Sequence, residues 1–340
     1  MIFRYETVVR LLVASVAALM PAALNAEVII DWVTVGDPGN VADTEVMTDG
    51  TTGYGSVDHV YLIGKYEVTN SQYSEFLNTV DPAGVNPYEL YNEHMAAPGY
   101  GGIIFDAAAV DGSKYTLRAG REHRPIYLVS FWGACRFANW LHNGQGDGDT
   151  ETGAYALDGI TNPPSESVTR NPAALVFIPT EDEWYKAAYY KGGGTDAGYW
   201  DYATQNDVAP VVEHPPGGAN SANYEFVVQQ LTDVGAYLDS PSAYGTFDQN
   251  GNVWEMNETI VRETRRGFRG GTFMGSSWPF LHASYRDRAP GSASENVGFG
   301  FRVASIPEPS VCAFLVVCIA LVLLWRATCR RQAKACGNQP

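Results

Sequence analysis

Asp248-Gln249-Asn250-Gly251-Asn252-Val253-Trp254-Glu255 sets two carboxylates seven residues apart around a glycine turn. A hard cation wants six to eight oxygens, and a tight turn can aim backbone carbonyls between two side-chain carboxylates. Calcium is the ligand this spacing suggests; the alternative is a capped turn whose acids face water. Asp147-Gly148-Asp149-Thr150-Glu151 is a second acidic, glycine-bearing loop. It lacks the remaining spacing and terminal glutamate of an EF-hand and reads as a solvated turn. His282, Ser284 and Asp287 offer a base, a hydroxyl and an acid, but all three crowd one short segment. That crowding favours a local turn over a nucleophilic triad.

Thiol and imidazole chemistry is sparse. Cys312, Cys318, Cys329 and Cys336 lie in the C-terminal tail, and only Cys135 belongs to the globular part. One cysteine cannot close an internal disulfide. With Trp132, Phe137 and Trp140 around it in sequence, Cys135 reads as a buried structural thiol. The six histidines are scattered, so no zinc or iron spacing is present.

Charge narrows the partners. The chain holds 22 basic and 38 acidic side chains, a net of −16. Residues 1–26 carry +1 and residues 308–340 carry +3, which leaves the segment between them near −20. So acidic a domain repels phosphate backbones, which excludes nucleic acid as a partner. About 280 residues is ample for a sizeable core without disulfides.

Abundant glycine, proline, tyrosine and tryptophan, with few long periodic runs, predict short strands and structured loops. Three helices can be placed. Thr69 caps the first, with Tyr73, Phe76, Leu77 and Val80 on one face. Ser130 caps the second, whose stripe is Ala134, Phe137, Ala138 and Leu141. Thr180 and Glu183 have capping-box spacing ahead of Trp184, Ala187 and Ala188. Two segments, Asn143 to Asn171 and Gly192 to Asn220, read as surface excursions.

Five blocks then occur in a telling order: GKYEVTNSQYSEFLN from Gly64, RPIYLVSFWGACRFANWL from Arg124, FIPTEDEWYKAA from Phe177, GNVWE from Gly251 and GFRV from Gly300. Together they resemble the formylglycine-generating enzyme, or sulfatase-modifying factor, family across roughly Val28 to Ala304. The resemblance implies an irregular α+β fold related to C-type lectins and low in regular secondary structure. It implies calcium held by the side chains of Asp248 and Glu255 and the carbonyls of Gly251 and Val253. A second family calcium site would start from Asn223-Tyr224. Active members place a copper-binding cysteine pair shortly after the Gly-Gly step. Here Gly270-Gly271 runs into Thr272, Phe273, Met274, Gly275, Ser276, Ser277 and Trp278. A serine hydroxyl cannot replace a thiolate ligand to copper(I), so copper is not expected.

The expectation is a non-catalytic binding or structural module stabilised by calcium. The alternative is an oxidoreductase of the same superfamily with altered chemistry on a protein or peptide substrate. Phe273, Trp278, Phe280 and Tyr285 are the expected ligand pocket. Trp254 and Glu255 with Arg288 and Arg302 are the expected buried framework, since a buried guanidinium needs several acceptors.

Both ends read as targeting segments. Arg4 and Arg10 precede an apolar run from Leu11 to Leu24, and Asn25-Ala26 offers a cleavage point before Glu27. Cleavage after Ala23 is the other choice. At the other end, Ile306-Pro307-Glu308-Pro309-Ser310 leads into Val311–Trp325 and then Arg326, Arg330, Arg331 and Lys334. About 15 apolar residues give roughly 22 Å of helix, which snorkelling arginines would extend towards the ~30 Å hydrocarbon core. Those basic residues predict a cytoplasmic C-terminus. The ordered trio of Pro-Glu-Pro, apolar helix and arginine cluster resembles a PEP-CTERM sorting signal, which implies handling by an exosortase; a plain single-span anchor is the other reading. The expected organisation is a signal peptide (1–26), one domain (27–305) and a sorting signal with a transmembrane helix (306–340). The expected location is the cell envelope or beyond, with exopolysaccharide or an envelope protein as partner.

Overall fold

The computed structural model describes residues 27–193, 197–261, 264–275, 277–288 and 291–307. The expected signal peptide, and the apolar and basic parts of the expected sorting signal, lie outside these residues. Among the described residues, no helix is long and apolar enough to cross a membrane.

The three capped helices form where the side-chain oxygens permit. In α1 (Asn70–Val80) the Thr69 side chain accepts from the Gln72 amide while Gln72 reaches back, a capping box. In α2 (Phe131–His142) Ser130 accepts from the Gly133 amide. In α3 (Glu181–Tyr189) Thr180 and Glu183 complete a second box. Each cap satisfies N–H groups that the first helical turn leaves without partners.

The remaining elements are short. Strands β1 (Trp32–Val35), β2 (Tyr61–Gly64), β12 (Ala304–Ser305) and β5 (Val176–Phe177) make one antiparallel sheet in that order. Strands β10 (Asp287–Arg288), β9 (Arg266–Arg269), β8 (Trp254–Ile260) and β11 (Phe299–Gly300) make a second, in which β8 and β11 run parallel. Two-stranded pairs are β3 (Ile103–Phe105) with β4 (Tyr115–Leu117) and β6 (Val211–Val212) with β7 (Ser221–Ala222). This is the irregular mixture of small helices and sheets expected from the sequence.

The core is aromatic. Phe76 and Phe137 bring α1 and α2 together edge to face at 5.4 Å, and Phe301 completes the group at 5.5 Å from Phe137. Such edge-to-face pairs are favoured by the ring quadrupole. The GFRV block thus belongs to the core as much as to the site.

Two expectations need correction. The segment from Asn143 to Asn171 is not a surface excursion, because Ala154, Tyr155, Leu157 and Val168 enter the main core. Glu151, read as a solvated acid, pairs with the fully buried Arg136 at 2.7 Å. Likewise Tyr202 and Ala203, within the Gly192 to Asn220 segment, are buried. A buried cation and an aromatic contact called these loops inward, and neither has a local sequence signature.

Phe301→Ala should lower the unfolding free energy by about 3–5 kcal/mol, since it empties a closed aromatic contact. Urea denaturation followed by tryptophan fluorescence reads this directly; a change under ~1 kcal/mol would mean the cluster does not hold the core.

Candidate functional site

The turn that opens β8 is built on backbone conformations few residues accept. Asp248 and Asn252 both have positive φ, at 61° and 57°. At Gly251, φ is 91° and an added Cβ would sit 2.4 Å from the Asn223 carbonyl oxygen. Glycine is therefore required there on two counts. The Asn252 amide donates to that same carbonyl at 2.9 Å, and the Gly251 amide donates to Gly270 at 2.7 Å. The turn is thus tied to both Asn223 and the Gly-Gly step.

Asn252 is the polar hub. Its Oδ1 accepts from the Thr232 amide at 3.1 Å, and its Nδ2 donates to Glu67 Oε1 at 3.3 Å. Asn223 donates from Nδ2 to the Gln230 carbonyl at 2.9 Å. Two oxygens in this group, Asn223 Oδ1 and Glu67 Oε2, are buried without a hydrogen-bond partner. Burial, with Asp248 and Glu255 nearby, pushes the Glu67 carboxyl well above its usual range. Asp248 Oδ2 accepts from the Gly235 amide at 2.6 Å. The Tyr224 side chain is buried, its hydroxyl donating to the Pro210 carbonyl at 2.5 Å.

Glu255, the second carboxylate of the spacing, also meets an arginine. Its Oε1 accepts from Arg302 Nη2 at 2.6 Å, and its Oε2 from Arg302 Nε and from Trp184 Nε1, the latter at 2.8 Å. Both side chains are fully buried. Arg302 also donates to the Gly64 and Phe247 carbonyls at 2.9 and 2.8 Å. The framework expected of Glu255 and Arg302 is present, with Trp184 as the indole donor. Trp254 instead presents its ring to the aromatic side. The side chain of Arg288 lies outside the described residues.

A second arginine framework had no sequence signal beyond its charge. Glu181, the first residue of α3, lies between Arg269 and Arg286 at 2.7 and 2.8 Å. Arg269 also donates to the carbonyls of Ala283 and Tyr285. These bonds hold the segment after the Gly-Gly step. On it, Phe280 and Tyr285 meet edge to face at 4.7 Å, and Trp254 lies 5.7 Å from Tyr285 and 6.2 Å from Phe280. Trp278 is 53% exposed. Phe273 does not join them: it is fully buried and packs on Tyr100 at 5.5 Å and Phe226 at 6.1 Å. The expected four-ring pocket is therefore two features, because the turn at Gly270-Gly271 sends Phe273 inward.

His282 Nδ1 lies 2.8 Å from the Ser284 hydroxyl and also accepts the Ser284 amide at 3.1 Å. Asp287 accepts from the Tyr285 hydroxyl, and Asp201 is the acid facing His282 Nε2, at 3.5 Å. Both Ser284 contacts fold back onto one ring nitrogen, as the local turn expected from the sequence requires. Cys135 is sealed in α2, and burial pushes its thiol far up.

Residues 38–306 match the family model for the sulfatase-modifying factor enzyme 1-like domain. The chain belongs to this family. Among solved structures, it is similar to CarF at 22% identity and a TM-score of 0.51, covering 82% of this chain and 99% of that one. It is also similar to the Treponema denticola variable protein 1, at 18% identity and a TM-score of 0.52, covering 85% and 100%. At these identities the likeness speaks for the fold alone. No curated protein matches the sequence. Within the sulfatase-modifying factor fold, the strip after Gly270-Gly271 is where this chain has glycine, serine and aromatic residues instead of thiols.

One group offers a pH test. Glu258, on β8, accepts from Tyr155 at 2.8 Å and pairs with Arg170 at 3.2 Å, and Arg170 reaches Glu183 at 3.1 Å. Burial raises Glu258 from 4.5 to about 7, against the opposing pull of Arg170. Between those values the folded state holds the extra proton. This contribution is therefore complete at low pH and lost as pH rises through about 7. Melting temperature should fall between about pH 5 and about pH 8, and Glu258→Gln should flatten that fall. Parallel wild-type and variant curves by circular dichroism would assign the slope to another group.

Proposed function

We propose that this chain is a non-catalytic binding or structural module of the cell envelope, built on the sulfatase-modifying factor fold and stabilised by calcium. One observation carries the reading: the strip after Gly270-Gly271 has no cysteine, and Cys135, the only cysteine between residues 27 and 307, is sealed inside α2. The surface offered in its place is the half-buried Phe280 and Tyr285, packed over the buried Trp254, with the exposed Trp278 nearby in sequence. Aromatic faces held by two arginine frameworks suit ligand binding without turnover. The signal-peptide and PEP-CTERM resemblances support export and sorting by an exosortase.

Calcium fits part of the expected residue set. Among the described residues, no three His, Cys, Asp or Glu side chains converge to hold a metal by themselves. A calcium site here would rest on amide and carbonyl oxygens, which a hard cation accepts. Asn223 Oδ1 and Glu67 Oε2 are buried oxygens that lack a partner, and Asp248 brings a carboxylate to the same turn. At the first site Asp248 and the Gly251 and Val253 carbonyls would hold the ion, with Glu255 shared with Arg302, and at the second Asn223 would supply its unpartnered oxygen. Its chemistry would be structural, neutralising buried oxygens and fixing the loops.

A chelator should lower the melting temperature of the wild type by several degrees, and Asp248→Ala should remove that response. A melt indifferent to chelator would sink the calcium site. Copper loading followed by incubation with a cysteine-containing sulfatase peptide separates this reading from the oxidoreductase alternative. The expected mass spectrum shows unmodified peptide; conversion to the aldehyde would overturn the binding-module reading.

A further inference from the structure

Several buried or half-buried arginines of this acidic protein have a carboxylate partner: Arg136 has Glu151, Arg170 has Glu183, Arg269 has Glu181 and Arg302 has Glu255. Half-buried Arg118 and Arg121 have none among the described residues. Arg118 donates from Nε to the Gly101 carbonyl at 3.2 Å and from Nη2 to Ala96 at 2.7 Å. Arg121 donates from Nη1 to the same Gly101 carbonyl at 2.7 Å and from Nη2 to Pro98 at 2.8 Å. A guanidinium carries five N–H donors, so each keeps donors beyond these two bonds. Glu122, between them and His123 in sequence, turns its carboxylate back to accept the Gly120 amide.

Arg124 extends the patch. Its Nη1 donates to Gln230 at 3.0 Å, its buried Nε has no hydrogen-bond partner, and Asp233 approaches only to 3.9 Å. Burial, and then the charges of Arg124 and Arg118, push Arg121 below its ordinary range. Two cations drawn onto one carbonyl repel each other, and an oxoanion bridging them would turn that repulsion into attraction. The patch also adjoins the buried start of the strip after Gly270-Gly271, apart from the Trp254, Phe280 and Tyr285 group. Tyr100 lies in the same loop as Pro98 and Gly101, its ring packs on Phe273, and Phe273 meets the 42% exposed Phe226.

We propose that Arg118 and Arg121 clasp the carboxylate or sulfate of an anionic polysaccharide, with Tyr100 and Phe226 offering ring faces to the sugars. The inference rests on the binding-module reading and names its ligand class. A dense polyanion would suffer repulsion from the rest of a chain of net charge −16. A polysaccharide spaces its charges by whole sugar rings, so one or two can meet the patch while the rest stay screened beyond the ~8 Å Debye length.

The test is biolayer interferometry of the full chain against polygalacturonate, a lightly sulfated dextran, neutral dextran and poly-glutamate. Binding to at least one of the two acidic polysaccharides, weakened at least tenfold by Arg118→Gln with Arg121→Gln and by raised salt, is the expected result. Arg118→Lys with Arg121→Lys keeps the charge, and thermal melts of both double variants show whether the fold survives. Retention of binding by the lysine variant, with an intact melt for the glutamine variant, assigns the loss to charge. Should a polysaccharide bind equally to wild type and to a folded glutamine variant, the arginine site is wrong while the binding-module reading stands. Equal binding of poly-glutamate would overturn the polysaccharide assignment. No binding to either acidic polymer overturns the inference, and neutral dextran binding alone would return the ligand to the aromatic group.

Discussion

The buried pair of Glu255 and Arg302 is the constraint from which the rest of the structure follows. Glu255 belongs to β8 of one four-stranded sheet, and Arg302 sits between β11 and β12, which belong to different sheets. Its donors reach Gly64 at the end of β2 and Phe247 ahead of the turn. Taking two charges out of water is costly, and only a nearly complete set of hydrogen bonds offsets it. Trp184, Gly64 and Phe247 complete that set. One ion pair therefore fixes how α3, the first sheet, the second sheet and the Asp248 turn lie together.

Glu181 repeats the device closer to the surface. It meets two arginines, and those arginines hold the segment that carries Phe280 and Tyr285. Arg286 extends the chain of charges to Asp49 at 2.8 Å. The aromatic group is thus supported from beneath by fixed charges, and no regular strand or long helix is needed to place it. Short elements suffice because planar guanidinium forks position loop carbonyls with defined geometry.

Helix caps, the apolar faces of α1 and α2 and the family blocks were legible in the sequence because they depend on local spacing. Thr69, Ser130 and Thr180 act on amides three residues away. The fate of Glu255 was legible only in part. Its spacing from Asp248 suggests a cation, and nothing local shows that Arg302, 47 residues later, donates to both of its oxygens. The inward turn of Phe273 and the burial of Tyr155 were hidden for the same reason, since each is decided by a partner remote in the chain. The convergence of Arg118 and Arg121 on Gly101 was likewise invisible, because backbone carbonyls carry no residue-type signal.

The sequence by itself determined the family, the acidic balance, the lack of thiols after Gly270-Gly271 and the positions of the three capped helices. These are properties of residue type and short spacing, which physical chemistry reads without knowing the fold. Tertiary structure alone decided which carboxylate meets which guanidinium, which aromatic rings are buried and which arginines are held by carbonyls instead of a carboxylate. Each of those outcomes depends on desolvation, and a side chain's desolvation is set by what the distant chain packs against it.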